Sequence, residues 1–355
     1  MLSRRIKRSP GPLVARVLAG AWREVPPAVD FSADDLAATV PLLLASGAGA
    51  LGWQRVRYSM LRDTPAALRL HEAYRMHALH AAIHEAEIQQ LFRLFREAGV
   101  EPVLVKGWAV ARCYTERWLR PYGDVDLCFK PQDYAIAAAK MQEPEAHKFY
   151  VDLHKGFSYL DNADSDDLLA RSQLILLGDT EVRVLGIEDH LRILCTHFLR
   201  HSGWRPLWLC DIGTIIESLP DDFDWQRLLR NDPLRINYIG CVIELARQLL
   251  GAQVERVPLA VRERRLPGWL APHLLRTWGR AFPELYNDPV PLAALMRRPV
   301  KFFAGILRRW PDPIEAIIRR QKPFDSSPRL LHQLATSFSR AGKFILALPK
   351  ARRQW

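Results

Sequence analysis

Two aspartates stand one residue apart inside a short apolar run, residues 124–129, which reads DVDLCF. In an extended strand, successive side chains alternate between the two faces, so Asp124 and Asp126 point the same way while Val125 and Leu127 point the other way. Neighbouring carboxylates repel each other unless a positive group lies between them. The pair therefore predicts either a basic side chain or a divalent metal ion at this place.

A third aspartate favours the metal ion. Asp152 lies in another strand-like run, FYVDLHKGF at residues 149–157, and shares a face with His154. Three aspartates on neighbouring strands form a cluster of hard oxygen ligands, which suits Mg²⁺ or Mn²⁺ better than zinc. Divalent ions held in this way can bind a nucleoside triphosphate and stabilise a pyrophosphate leaving group. The alternative is structural: Asp124 and Asp126 would pair with nearby arginines, and Asp152 would be a surface carboxylate.

Gly107 ends another short apolar run, VLVKG at residues 103–107, and lies just before a predicted helix. Gly107 would let the backbone approach a phosphate closely, and a helix N-terminus favours anions. Lys106 either meets a phosphate or pairs with an aspartate. Arg120 either stabilises phosphate charge, for which a guanidinium is well suited, or clamps the aspartates.

The pattern of apolar residues predicts an α+β chain. Ser32 is placed to cap a helix, a long helix is expected over about 66–98, and short strands alternate with helices up to residue 187. After residue 187 the spacing of apolar residues predicts further helices. The predicted divisions are a disordered basic tail at 1–28, an N-terminal helical region at 29–98, an α/β core at 99–187, a helical module at 188–285 and a basic helical or tail region at 286–355.

Composition limits the class of protein. The chain has 355 residues, 49% hydrophobic and 25% charged, which is typical of a globular protein, and no apolar run is long enough to predict a membrane-spanning helix. Five dispersed cysteines without a C-x-x-C pair indicate reduced thiols and a cytoplasmic location. The net charge of +11 would attract nucleic acid, anionic lipid or nucleotide phosphate, and the basic C-terminus predicts peripheral membrane contact.

These motifs together resemble a family. Lys106–Gly107, Arg120 followed by Asp124-Val-Asp126-Leu, and Val151-Asp152-Leu-His154 are similar to the motifs of an uncharacterised bacterial nucleotidyltransferase family within the DNA polymerase beta-like superfamily. A later stretch with a Trp-Leu-x-Asp-Ile turn, residues 208–212, resembles the helical module of that family. The resemblance covers about residues 67–235.

The resemblance implies a small mixed β-sheet nucleotidyltransferase core flanked by N-terminal helices and a C-terminal helical module. It implies metal binding by Asp124, Asp126 and Asp152, with Asp152 activating the acceptor hydroxyl. Phosphate contact is implied near Gly107. Members of the superfamily commonly carry Gly-Ser or Gly-Gly where this chain has Gly107–Trp108.

The resulting functional hypothesis is a metal-dependent enzyme that transfers a nucleoside monophosphate from a nucleoside triphosphate and releases pyrophosphate. Lys106, Gly107, Trp108 and Arg120 are the expected nucleotide contacts, and His154 and His197 are placed at the cleft. The acceptor is open: a small molecule, sugar, peptide, RNA or protein. The alternative is a catalytically degraded nucleotide- or RNA-binding protein on the same fold, which the bulky Trp108 favours.

Overall fold

The computed structural model describes residues 10–157, 165–280, 310–325 and 327–351. Four helices come first: α1 (Pro10–Leu18), α2 (Ala33–Ala45), α3 (Gly49–Val56) and α4 (Pro65–Glu97). The middle of the chain alternates strands and short helices: β1 (Val103–Leu104), α5 (Gly107–Ala111), β2 (Val125–Phe129), α6 (Tyr134–Lys140), β3 (Val151–Lys155), α7 (Ser165–Ala170), β4 (Gln173–Leu177) and β5 (Thr180–Val184). The remainder is helical: α8 (Ile187–Arg200), α9 (Pro206–Glu217), α10 (Trp225–Leu229), α11 (Pro233–Leu250), α12 (Leu259–Arg262), α13 (Leu270–Trp278), α14 (Pro313–Arg319) and α15 (Arg329–Ala351).

The five strands form one mixed sheet in the order β3-β2-β1-β5-β4. β2 and β3 are parallel, as are β1 and β5, whereas β1–β2 and β4–β5 are antiparallel. The long helix α4 packs on this sheet through Ile88, Leu91, Phe92 and Phe95, which share an apolar cluster with β1, β2 and β5. The predicted α+β fold with flanking helices is confirmed. Strand β4 has no counterpart in the sequence-based prediction.

The N-terminal helices are part of the main core. Residues 10–28 were expected to be disordered, but α1 buries Leu13, Val14, Val17 and Leu18, because its apolar residues recur at helical spacing. This corrects the prediction for residues 10–28, while residues 1–9 lie outside the described part. Ser32 caps α2 in a capping box with Asp35, as the sequence indicates.

The N-terminal helices and the predicted helical module share one apolar core. Side chains of α1, α2 and α3 lie in the same cluster as those of α8, α9, α11 and α13. α1 itself packs against α11 and α13. These two regions, which the sequence suggests are separate, therefore pack as one unit. All five cysteines are free thiols, and no helix within the described ranges has the length and apolar character needed to cross a membrane.

Candidate metal and nucleotide site

Two adjacent parallel strands bring the acidic motifs together. The register of β2 and β3 sets Asp126 opposite Asp152 and Cys128 opposite His154. Residues two apart on a strand share a face, so Asp152 and His154 lie on the same side of β3. This pairing is set by the apolar residues between the polar ones, since Val125 and Leu127 enter the core and fix which way the carboxylates point.

Asp126 is the centre of the site. Its Oδ1 lies 2.5 Å from Nζ of Lys106 and 3.0 Å from Nε2 of His154. The same Nε2 is 3.3 Å from Oδ2 of Asp152. Burial of Asp126 acts to raise its pKa, but the hydrogen bond to His154 and the charge of Lys106 outweigh burial and hold the pKa below its usual value. Asp126 is therefore ionised at neutral pH.

The three side chains have the arrangement of a metal-binding group. One ligand atom from each of Asp126, Asp152 and His154 can be chosen so that all three lie within 4.8 Å of one another. Two carboxylates and an imidazole are suitable ligands for a divalent cation. Asp126 is buried while the side chain of Asp152 is 57% exposed, so the group reaches from the protein interior to solvent. The residues present fit a divalent ion.

Asp124 is outside this group. It lies immediately before β2, is half-buried, and does not belong to the set of three potential ligands. Its backbone carbonyl oxygen approaches Gly107: a Cβ placed on that glycine would lie 3.7 Å from it. The structure thus brings together two of the three predicted aspartates and adds His154, and metal binding by Asp124 stays a prediction.

The turn between β1 and α5 is held in an uncommon backbone conformation. Lys106 has φ 54° and Gly107 has φ 37°, and Lys106 is buried. A non-glycine residue at positive φ typically costs about 1–3 kcal/mol and persists where its surroundings fix it. Here the ion pair with Asp126 is one such constraint. The turn therefore holds the ammonium group of Lys106 against the carboxylate site.

We expect Gly107→Val to weaken nucleotide binding more than it weakens the fold. A Cβ at residue 107 would lie 3.6 Å from Tyr122 and 3.7 Å from the carbonyl oxygen of Asp124, which are ordinary contacts. For Gly107→Ala the cost to folding is then that of a left-handed backbone, about 1–2 kcal/mol, and Gly107→Val adds two γ-carbons at a buried position. Thermal melting and nucleotide titration of the parent, Gly107→Ala and Gly107→Val measure the two effects. Equal nucleotide affinity in all three proteins would mean that Gly107 is only a turn residue.

Trp108 belongs to the core. Its side chain is 2% exposed and its Nε1 donates a hydrogen bond to Oε1 of Glu85 on α4 at 3.1 Å. The indole packs in the apolar cluster between α4 and the sheet. The ring of Trp108 is therefore a packing group, because α5 turns it into the core, and the expected nucleotide contact at residue 108 stays a prediction.

Arg120 forms a buried ion pair with Asp211 on α9. Its Nη2 lies 3.0 Å from Oδ2 of Asp211, and its Nε lies 3.2 Å from both carboxylate oxygens. The hydroxyl of Tyr114 donates to Oδ1 of the same carboxylate at 2.8 Å. Burial alone would lower the pKa of Arg120, but the charge and hydrogen bonds of Asp211 raise it. Asp211 lies within the Trp-Leu-x-Asp-Ile motif, which the sequence singles out without indicating this partner.

His197 lies on α8 beside other rings. Its ring centroid is 4.4 Å from that of His201 and 4.5 Å from that of Trp208. Burial holds the pKa of His197 well below its usual value, and the charge of Lys106 lowers it further. His197 is therefore neutral at pH 7 and lies within electrostatic range of the lysine that pairs with Asp126.

The comparisons with known proteins assign a family. A family model described as an uncharacterised nucleotidyltransferase matches residues 37–146 and 138–238, which together are more than half of the chain. The matched stretches contain β1, β2, β3 and Asp211. Searches of curated proteins and of solved structures found no match. Both the sequence match and the strand-borne cluster of Asp126, Asp152 and His154 point the same way, and the chain belongs to this uncharacterised nucleotidyltransferase family.

Proposed function

We propose that this protein transfers a nucleoside monophosphate group from a nucleoside triphosphate to an acceptor, with Mg²⁺ or Mn²⁺ as cofactor. In this reaction an oxygen of the acceptor forms a bond to the α-phosphorus. The bond from that phosphorus to the oxygen bridging to the β-phosphate breaks, pyrophosphate leaves, and the acceptor loses a proton. The observation that carries the proposal is the group formed by Asp126, Asp152 and His154 on paired strands of a nucleotidyltransferase family member.

The burial and charge of each residue of the site suggest a different role for it. Asp126, Asp152 and His154 would hold the ion, which when bound neutralises phosphate charge and polarises the reacting oxygens. Asp152 is the most exposed of the three and is the proposed acceptor of the proton from the incoming hydroxyl. Asp124, at the start of β2, is the proposed further carboxylate of the site.

Lys106 and Gly107 are the proposed phosphate contacts. The ammonium of Lys106 already lies at the carboxylates, and the lack of a Cβ at Gly107 favours close approach of a phosphate to the backbone. Arg120 is engaged by Asp211, so its proposed role is to fix the loop before β2. The alternative of a degraded binding protein loses its main support, because Trp108 is directed into the core and does not obstruct the turn.

We expect nucleoside triphosphate binding to require a divalent ion. Without a cation the carboxylate group repels a triphosphate, whereas a bound ion attracts it. Calorimetric titration of each of four nucleoside triphosphates, in chelator and in Ca²⁺ as a non-reactive substitute, tests this and identifies the preferred base. Asp152→Asn should abolish the gain from Ca²⁺, while the matched control Asp63→Asn, at an exposed position, should retain it. Equal affinity in chelator and in Ca²⁺ would contradict the metal site.

We also propose peripheral contact between the C-terminal helix and an anionic membrane surface. In α15 the polar residues Gln333 and Thr336 are buried, and Gln333 donates to the carbonyl of Pro311. Leu330, Leu331 and Phe338 are instead exposed, with 74% of Phe338 accessible. From residue 326 to residue 355 the sequence has lysines and arginines and no acidic residue. A basic helix with an outward apolar face suits an interface of acidic lipid headgroups.

Replacing Leu331 and Phe338 by serine should weaken binding to vesicles of mixed anionic and zwitterionic lipid. Burying each such side chain is worth about 1.5–3 kcal/mol, so we expect at least about a tenfold loss for the double variant. Cosedimentation measures it. The matched control is Leu68→Ser with Leu79→Ser, two similarly exposed leucines on α4. Equal vesicle binding by both double variants would contradict contact through α15.

A further inference from the structure

An open cavity of about 890 Å³ lies in the helical part of the chain. It is bounded by the C-terminal half of α11, by the segment that joins α12 to α13, and by the start of α13. Its lining includes four arginines: Arg247, Arg262, Arg264 and Arg265. Its volume is within the usual range for small-molecule sites, about 300–1,000 Å³. We call it the arginine pocket; its lining residues lie outside both stretches that match the family model.

The charges of the arginine pocket are only partly balanced by its two acidic lining residues, Glu244 and Glu263. Arg247 is paired with Glu244, whose two oxygens accept from its Nε and Nη2 at 2.7 Å and 2.6 Å. Within the described part of the chain, no carboxylate oxygen lies within 4.0 Å of a side-chain nitrogen of Arg262, Arg264 or Arg265. Arg262, Arg264 and Arg265 thus line one cavity without an ion-pair partner among the described residues, and the four arginines and two glutamates of the lining leave a net charge of +2. Several positive charges that line one cavity create a positive potential, which attracts an anion.

Arg264 is the most constrained of these arginines. Its Nε is buried and makes no hydrogen bond within the described structure. Its stem lies against α11 at Gly240, where a Cβ would come within 2.8 Å of Cδ of Arg264. An arginine held this closely by its stem loses little further freedom on binding a ligand. The local packing therefore fixes the stem of Arg264 beside the cavity.

We propose that the arginine pocket binds a small molecule that carries two or more phosphate groups. A guanidinium presents paired N–H donors that match the oxygens of a phosphate, which makes arginine a preferred residue for phosphate recognition. A ligand with two or more phosphate groups could contact several of these guanidinium groups at once. This site is separate from the carboxylate site, because none of its lining residues belongs to the group of Asp126, Asp152 and His154.

Titration with inorganic tripolyphosphate in the presence of chelator tests the proposal on the full chain. Chelator removes the divalent ions that the carboxylate site needs, so binding under this condition reports the arginine pocket. We expect the parent to bind, and Arg264→Gln with Arg265→Gln to weaken binding at least about tenfold, since two charged donors to phosphate oxygens are removed. Arg62→Gln with Arg69→Gln removes the same charge at exposed positions of the chain and should change affinity less than twofold.

Two further variants separate the outcomes. If Arg264→Gln prevents folding, Arg262→Gln with Arg265→Gln, which leaves the buried stem intact, should produce the same loss of binding. Asp152→Asn should leave tripolyphosphate binding in chelator unchanged, whatever it does to metal-dependent nucleotide binding. The proposal is overturned if the parent does not bind tripolyphosphate in chelator, if the pocket and control double variants lose affinity equally, or if Asp152→Asn abolishes the binding.

Discussion

Replacing Asp211 by asparagine should lower the free energy of unfolding by about 3–5 kcal/mol, the usual effect of removing one partner of a buried ion pair. Asp211 is fully buried, and its carboxylate receives three hydrogen bonds from Arg120 and one from Tyr114. Asparagine keeps the shape and an acceptor for Tyr114 but removes the charge. The guanidinium of Arg120 is then left buried without a counter-ion. Urea unfolding of parent and variant measures the loss.

The double variant Arg120→Met with Asp211→Asn provides the matched test. Methionine removes the stranded charge, and so the double variant should recover most of the stability that Asp211→Asn loses. Asp63→Asn, at an exposed ion pair with Arg62, should change stability by less than about 0.5 kcal/mol. A loss below about 1 kcal/mol for Asp211→Asn, or a double variant less stable than the single one, would contradict a structural role for this pair.

The second large effect is expected at Asp126. Asp126→Asn should reduce affinity for nucleoside triphosphate in Ca²⁺ at least about tenfold, because a carboxylate that fixes the ion is lost. It should also destabilise the protein in chelator by about 1–3 kcal/mol, since the buried ammonium of Lys106 loses its charged partner at 2.5 Å. The sequence alone favours the opposite sign, because neutralising one of two adjacent carboxylates relieves repulsion. The structure reverses that expectation by placing Lys106 beside Asp126.

Asp152→Asn is the matched variant for this prediction. The side chain of Asp152 is mostly exposed and its ionic neighbour is His154 at 3.3 Å, so the substitution should change stability by less than about 0.5 kcal/mol. Nucleotide affinity in Ca²⁺ should nevertheless fall. Melting in chelator and calorimetry in Ca²⁺ give both quantities. If Asp126→Asn melts at the parent's temperature, the ion pair with Lys106 contributes nothing, and if it also binds nucleotide normally, Asp126 is not a ligand.

The predicted elements that were confirmed are those with strong local signals. The long helix α4 and the capped helix α2 follow from apolar spacing and from Ser32, and strands β2 and β3 follow from apolar runs bounded by polar residues. Strand β4 was missed because residues 174–177 form a continuous apolar run, LILL, which does not alternate and fits a helix as well as a strand. The first helix was missed because proline and arginine near the N-terminus indicated a tail, although Val14 and Leu18 are deeply buried.

The site could be predicted only in part, because some of its contacts join residues that are far apart in the sequence. Asp126 and Asp152 are marked by their position in apolar strands, and their pairing follows from the sheet. The partners of Lys106 and Arg120 depend on contacts between residues 20 and 91 positions apart, which no local pattern records. For Lys106 the sequence allows two roles, contact with a phosphate or pairing with an aspartate, and the structure shows the second. For Arg120 the sequence suggests phosphate or the strand aspartates as partners, whereas the observed partner is Asp211 on α9.

The Arg120–Asp211 pair also limits how the protein can move. Arg120 lies six residues before Asp126, and Asp211 lies on a helix of the shared apolar core. Swinging that helical body away from the sheet would separate the two charges and uncover the apolar residues packed around them. The pair therefore ties the loop before β2 to α9, and the position of the strand that carries Asp126 is linked to that of the helical core.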